Sequence, residues 1–262
     1  MDLRRTARAV FAAYDEHDVL TYASAISFQI AFALIPLALC GLGLLGLFNL
    51  GPTWQSDIAP QLRSGLSPEA FKLVDNTVHQ VLEHRRGFWA TLGLLLTIWE
   101  MSGATRGVMG VLDRIYRIRR TRSFRERVAV SIALATASTA LIGLAVGTVL
   151  LGPHFLGPFG VVVRWAIALL LLSALLAIVV RYAPAQQRSW RLVSRGSGFT
   201  LAGWVAMSLL FAVYLRDIAD YNTIFGNLAT VIVTFEYLYL SAIVFLTGLV
   251  LDALSEGGTT QS

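Results

Sequence analysis

Residues 19 to 56 contain no charged side chain, and the stretch 26–50 is almost wholly apolar. A run this long and this apolar fits a membrane span. Inside lipid every backbone N–H and C=O needs an internal partner, which leaves only helices or closed barrels. The run is too continuous for the alternating pattern of a barrel strand. As a helix, about 25 residues rise ~37 Å, enough to cross a bilayer at a tilt. A cleavable signal would have a shorter apolar core and a small-residue cleavage site. With charges running up to Asp18, this segment is expected to be a retained first span.

Five further runs follow the first (20–50), at 88–112, 128–151, 161–180, 199–215 and 228–251. Glu100 and Arg106 interrupt the second, and the fifth is short enough that it is expected to recruit 196–198. The composition agrees. Of 262 residues 56% are hydrophobic and 14% charged, with a mean hydropathy of +0.65, whereas soluble domains average about 25% charged. The expected fold class is all-α: a polytopic membrane protein with a bundle of about six transmembrane helices. It forms one domain, 1–262, with an external link at 51–87 and a polar tail at 252–262.

The net charge is +5, but the basic residues sit between apolar runs, so they read as topology signals rather than a nucleic-acid surface. Three lie at the N-terminus, eight between spans two and three, and four between spans four and five, against six on the other side. The richer side is expected to be cytoplasmic, which puts both termini there. The lone Cys40 permits no disulfide within the chain and reads as a small packing residue.

In the external link, Ser67-Pro68-Glu69 is a helix start, with a capping Ser and Pro at the first helical position. Phe71, Val74, Val78, Val81 and Leu82 then recur at helical spacing. Such an amphipathic helix either rests on the outer surface or covers the top of the bundle. Val10, Phe11 and Tyr14, beside Arg4, Arg5 and Arg8, suggest a short helix along the inner surface.

Gly41-Leu42-Gly43-Leu44-Leu45-Gly46 fits G-x-G-x-x-G, but a dinucleotide site needs a preceding strand. Inside a span these glycines, like Gly143 and Gly147 and the stripe Ala23, Ser27 and Ala31, are expected to serve close helix packing. Pro36 removes a backbone hydrogen bond and is expected to kink span one, as a plain packing device or as a candidate hinge that opens a cavity at mid-membrane depth. By helical rise Glu100 lies ~18 Å below Phe88 and Glu236 ~12 Å below Leu228, near the bilayer centre. There a carboxyl costs about 2.5–3.5 kcal/mol on insertion scales. Both are expected to face the bundle interior, a wet cavity or a partner, as a polar site or a structural bond between helices. Arg106, ~27 Å deep by the same count, is expected to snorkel to the inner surface, and Arg164 to the outer one. His17, His79, His84 and His154 are scattered and the acids dispersed, with no nucleophile elbow and no phosphate loop. No catalytic residue, metal or cofactor is expected.

The order of short motifs over roughly residues 15 to 252 resembles the YihY/BrkB family of bacterial inner-membrane proteins, once labelled ribonuclease BN. The likeness rests on 20–28 followed by Pro36, on Trp99, Ser102 and 113–116, on Tyr182-Ala183-Pro184, Trp190, Gly196 and Trp204, and on Tyr214, Tyr221, 225–227, 239–241 and Gly248. Departures are Ala33 for a usual Ser, Asp113 for Asn, Phe225 and Asn227 in a "Y-G-S" segment, and Val250 and Asp252 where "E-x-N" is common. The resemblance implies six spans, both termini inside and a role tied to the cell envelope. Glu100, Glu236, Arg106 and Asp113 form the candidate intramembrane polar site. Arg117, Arg119, Arg120, Arg122, Arg188 and Arg191 form a candidate rim for anionic head groups. The expected role is a transporter of a lipid or other envelope amphiphile, with a non-transporting envelope scaffold as the alternative and ribonuclease activity set aside. Membrane lipids, anionic ones among them, are the expected partners, nucleic acid is not, and a homo-oligomer stays open.

Overall fold

The computed structural model describes residues 3–48, 52, 54–60, 63, 68–83, 86–118, 122–156, 160–186, 194–217 and 224–257. Among them there is no strand. The helices are α1 (Leu3–Glu16), α2 (Val19–Leu47), α3 (Pro68–Glu83), α4 (Arg86–Ile115), α5 (Phe124–Leu156), α6 (Gly160–Tyr182), α7 (Arg195–Asp217) and α8 (Ile224–Gly257), with one π-helical turn at Trp54–Ile58. Five segments are long and apolar enough to cross a membrane: Val19–Leu47, Phe124–Val149, Gly160–Tyr182, Arg195–Tyr214 and Val231–Ser255. The chain is an all-α polytopic membrane protein. Helix α4, 30 residues long, reaches about 45 Å but is less apolar, since it carries Glu100, Arg106 and several Gly, Ser and Thr. Its lower half is among the most buried segments, with Ser102, Ala104, Thr105, Val108, Met109, Val111 and Leu112 all covered by neighbours. A helix walled by protein needs less hydrocarbon-facing surface.

The long helices form three antiparallel hairpins, α2/α4, α5/α6 and α7/α8. In the first, glycines of α4 let the two backbones touch. A Cβ on Gly93 would meet the Cys40 nitrogen at 2.5 Å and the Pro36 oxygen at 2.7 Å, and one on Gly43 would meet the Ala90 nitrogen at 2.4 Å. Gly103 lies against Gln29, Gly107 against Ile26 and Gly110 against Tyr22. The seam ends in an ion pair of Asp18 with Arg114 and another of Glu16 with Arg117 at 2.7 Å. Going up α2 from residue 18 to 43, the partner on α4 falls from 114 to 90, which is an unbroken antiparallel register. Pro36 is buried in this seam, which is the packing role open to such a proline. Gly43 and Gly46 are buried there too, and Ala23 and Ser27 are also covered. Gly41, Gly143 and Gly147 have nothing within 4 Å of an added Cβ. Among the described residues, no neighbour approaches Gly143 or Gly147 closely.

All hairpin bases gather at the end that holds α1. The main core (Ala13, Val19, Ile26, Met109, Leu112, Leu134, Leu176, Leu246, Leu249 and their neighbours) lies in that half. On α1, Val10 and Tyr14 pack on this core, and the Tyr14 hydroxyl hydrogen-bonds the Thr247 hydroxyl. Phe11 departs from the expected shared face and is 75% exposed. At the far end, α3 starts at Pro68 as its sequence implies and covers the top of α2, with Val78 and Trp54 buried beside Leu42 and Leu45. The Trp54 Nε1 donates to Asp75 Oδ1 at 3.0 Å.

Candidate functional site

The helices that converge at the base come apart toward the other end. Along α6, Val162, Trp165, Leu169 and Leu176 recur at helical spacing and so share one face. Their exposures are 76%, 53%, 39% and 3%. On α8, Val231, Phe235, Ala242 and Leu246 form the same kind of stripe, at 53%, 42%, 5% and 0%. Each core-facing stripe thus continues upward past the core with nothing covering it. Helices α6 and α7 touch only sparsely, whereas each is firmly packed on its hairpin partner. The upper halves of α6 and α8 thus present uncovered apolar faces, while their lower halves are buried in the shared core.

These uncovered faces are apolar with few polar groups. On the α7/α8 hairpin the Trp204 Nε1 donates to the Ser241 carbonyl at 3.0 Å, the Ser208 and Tyr237 hydroxyls lie 3.0 Å apart, and Phe211 stacks on Tyr237 at 4.8 Å. Glu236 is exposed and Glu100 half-buried. Among the described residues neither makes a side-chain hydrogen bond or ion pair, and their helices barely meet. Of the settings expected for Glu236, the buried interior is the one this placement removes. The physical reason is its position: it is on the open half of α8 and about a third of a turn off the core stripe. Arg106 does not snorkel to the base. Its Nη1 donates to Ser102 Oγ at 2.9 Å, one turn back along α4. Helical side chains lean toward their own N-terminus, and in α4 that direction leads toward mid-membrane.

The other candidates lie at the base and act on backbone. Asp113 Oδ1 accepts from the Ala185 N–H at 3.0 Å. Arg122 donates through Nη1 to the Ala183 carbonyl at 2.8 Å and through Nη2 to those of Tyr182 and Pro184 at 2.9 and 2.8 Å. A cation on the last carbonyls of a helix complements its dipole and their unmet acceptors. Arg117 takes the left-handed C-terminal position of α4 (φ 49°) and pairs with Glu16. Arg122 is therefore engaged inside the fold rather than presented as a lipid rim. Arg119, Arg120, Arg188 and Arg191 lie outside the described residues.

Sequence reasoning named Asp252 only as a departure from the family pattern, not as a site residue, yet its carboxylate is firmly held. It is 5% exposed, its Oδ1 accepts from the Gly196 N–H at 2.7 Å and its Oδ2 from Ser194 Oγ at 2.5 Å. Ser194 Oγ also accepts from the Ser197 N–H, capping α7. A Cβ on Gly196 would lie 2.0 Å from the Gly248 carbonyl, so the α7 and α8 backbones touch there. The available signal was Ser194-Arg-Gly-Ser197 before an apolar run, with two glycines placed to bring a carboxylate within reach. Among the described residues no three His, Cys, Asp or Glu side chains gather at one point.

Fold and base together define an integral membrane bundle of hairpins. The sequence model of the family described as virulence factor BrkB matches residues 10–261, and the chain belongs to that family. It is 24% identical over 260 residues to the ribonuclease-like protein YfkH of Bacillus subtilis (strain 168), covering 94% of each chain. To the UPF0761 membrane protein Mpe_A1422 of Methylibium petroleiphilum it is 29% identical over 245 residues, 88% of this chain and 57% of that protein. To a UPF0761 membrane protein of Albidiferax ferrireducens it is 25% identical over 263 residues, 95% of this chain and 62% of that protein. The chain thus spans about three fifths of the length of these last two relatives. No solved structure matches it.

Proposed function

We propose that this protein moves a lipid or other envelope amphiphile across, or between the leaflets of, a bacterial inner membrane. The observation that supports the reading is the graded exposure of the α6 and α8 stripes, which we read as a cleft between α5/α6 and α7/α8, closed at the base, open to the side and walled by Trp165, Leu169, Val231 and Phe235. Apolar walls suit acyl chains, and a side opening between α6 and α7 would let them enter from lipid. Glu236 and the Ser208–Tyr237 pair supply polar groups part-way down for a head group. The basic surplus at the base fits a cytoplasmic face bearing anionic lipids, with both termini on that side and α4 as the sixth span. The reading includes no catalytic step, metal or cofactor. YfkH's ribonuclease-like name belongs to YfkH and is not carried over, because a polyanion would need a wet site with gathered metal ligands.

The test is a dithionite-quench flip assay in proteoliposomes of zwitterionic and anionic lipids bearing fluorescent tracers. Movement above empty vesicles, reduced in Glu236→Gln or Glu100→Gln, is expected. No movement of any tracer by folded protein overturns the reading and favours an envelope scaffold, whose mark would be partners that co-purify in stoichiometric amount.

A further inference from the structure

The two hairpins flanking that cleft share the apolar core at the base, and polar ties at the connection between them add to it. Among the described residues, the connection from α6 to α7 is tied mainly through its backbone. At the α6 end, Arg122 grips the carbonyls of Tyr182, Ala183 and Pro184, and Asp113 receives the Ala185 N–H. At the α7 end, Asp252 receives the Gly196 N–H and the Ser194 hydroxyl. The three gripping side chains come from three places: the end of α4, the turn before α5, and the end of α8. Ala183 and Pro184 are fully buried by this arrangement, and Gly196 is pressed on Gly248.

We infer that Asp113, Arg122 and Asp252 form a releasable clamp that keeps the base of the cleft closed, and that its opening admits the cytoplasmic side. The inference rests on the transport reading and adds to it where the inner gate is and which bonds form it. Three features separate such a clamp from ordinary core packing. It is polar, so its own bonds can be exchanged for bonds to water. It acts on the one connection that links the two walls of the cleft. Its two halves are independent, because Arg122 and Asp113 hold the end of α6 while Asp252 holds the start of α7. Freeing either half lets one wall move without unfolding the other. The ion pairs of Asp18 with Arg114 and Glu16 with Arg117 lie on the α2/α4 hairpin and stay closed in that motion.

The experiment measures solvent access beneath the clamp and not transport. In a Cys40→Ser background, the single substitution Leu246→Cys places a thiol in the core just inside the clamp, where Leu246 is 0% exposed. Labelling is followed with a charged methanethiosulfonate added to the face bearing the termini. With the clamp intact, reaction is slow. Asp252→Asn or Arg122→Gln should speed it about tenfold or more, the factor by which losing one charge-assisted hydrogen bond shifts an open–closed equilibrium. Val231→Cys, already exposed in the open half, should not change. Should either variant fail to fold, Ser194→Ala removes one donor to Asp252 and should still give a severalfold rise. Unchanged protection in the folded variants, or an equal rise at position 231, overturns the clamp. A faster reaction at 246 without lipid movement in the flip assay leaves the clamp standing and removes the transport reading.

Discussion

Replacing Gly93 by Ala adds one methyl group where the structure has no room for it. The new carbon would lie 2.5 Å from the Cys40 nitrogen, 2.7 Å from the Pro36 oxygen and 2.9 Å from the Cys40 Cα. Comfortable carbon contacts are about 3.5–4.0 Å, so α2 and α4 must separate by about 1 Å. The obstructing atoms are backbone, which cannot swing aside as a side chain would. A gap of that size removes about a quarter to a half of each contact's attraction along the seam. Overpacking of this kind costs about 1–3 kcal/mol, and Ala returns up to about 1 kcal/mol in helix propensity. The net loss should be about 1–2 kcal/mol, or several degrees of melting temperature at the usual ~2–4 °C per kcal/mol for chains of this order of size. Gly143→Ala is the matched control, because nothing lies within 4 Å of its added carbon. It keeps only the propensity gain and should melt at or slightly above the parent. Intrinsic tryptophan fluorescence in one detergent at one scan rate ranks the three proteins. Equal melting of the two variants, or a Gly93→Ala protein more stable than the parent, would refute the seam.

Two other substitutions probe local devices. Trp54→Phe removes the Nε1 donor to Asp75 while keeping an aromatic ring over Val78. It should loosen the contact of 54–58 with α3 by about 1 kcal/mol, seen as faster hydrogen exchange in 68–83 with no change in α4 or α8. Glu126→Ala breaks the reciprocal pair at the start of α5, in which the Ser123 N–H donates to Glu126 and the Glu126 N–H to Ser123 Oγ. A cap of this kind contributes about 0.5–2 kcal/mol. The variant should exchange faster over 124–128 only, and faster exchange throughout the helix would contradict the assignment.

The apolar runs made the spans legible, because oil tolerates little else, but they located the ends poorly. Span two was expected to stop at 112, and α4 continues to Ile115 because Asp113 and Arg114 find partners on other elements. Span six was expected at 228–251, and α8 runs from Ile224 to Gly257 because Asp252 is buried under the α7 cap. The start of α5 at Phe124 was written in Ser123 and Glu126, a reciprocal cap that an eye on hydropathy passes over. The expected extension of span five through 196–198 is present in α7, which begins at Arg195. Glycines were harder. The pattern at 143 and 147 looked like a packing face and meets no neighbour among the described residues, while Gly93, Gly103, Gly107 and Gly110 make the seam. Which glycines are used depends on which face a neighbour takes, and spacing alone does not carry that. The site shows the same limit. Depth along a helix placed Glu100 and Glu236 at mid-membrane, but burial depends on where the hairpins part, a property of the whole bundle.

A nitroxide placed in turn at Val162, Trp165, Leu169 and Leu176 in the Cys40→Ser background tests whether the bundle is shut at one end and open at the other. Collision rates with oxygen and with a water-soluble nickel chelate, measured in lipid by EPR power saturation, report access of either kind. The two together should be high at 162, remain substantial at 165 and 169, and vanish at 176. Uniformly low access at all four positions would mean a bundle closed along its whole length, with no room for a passenger between α6 and α7.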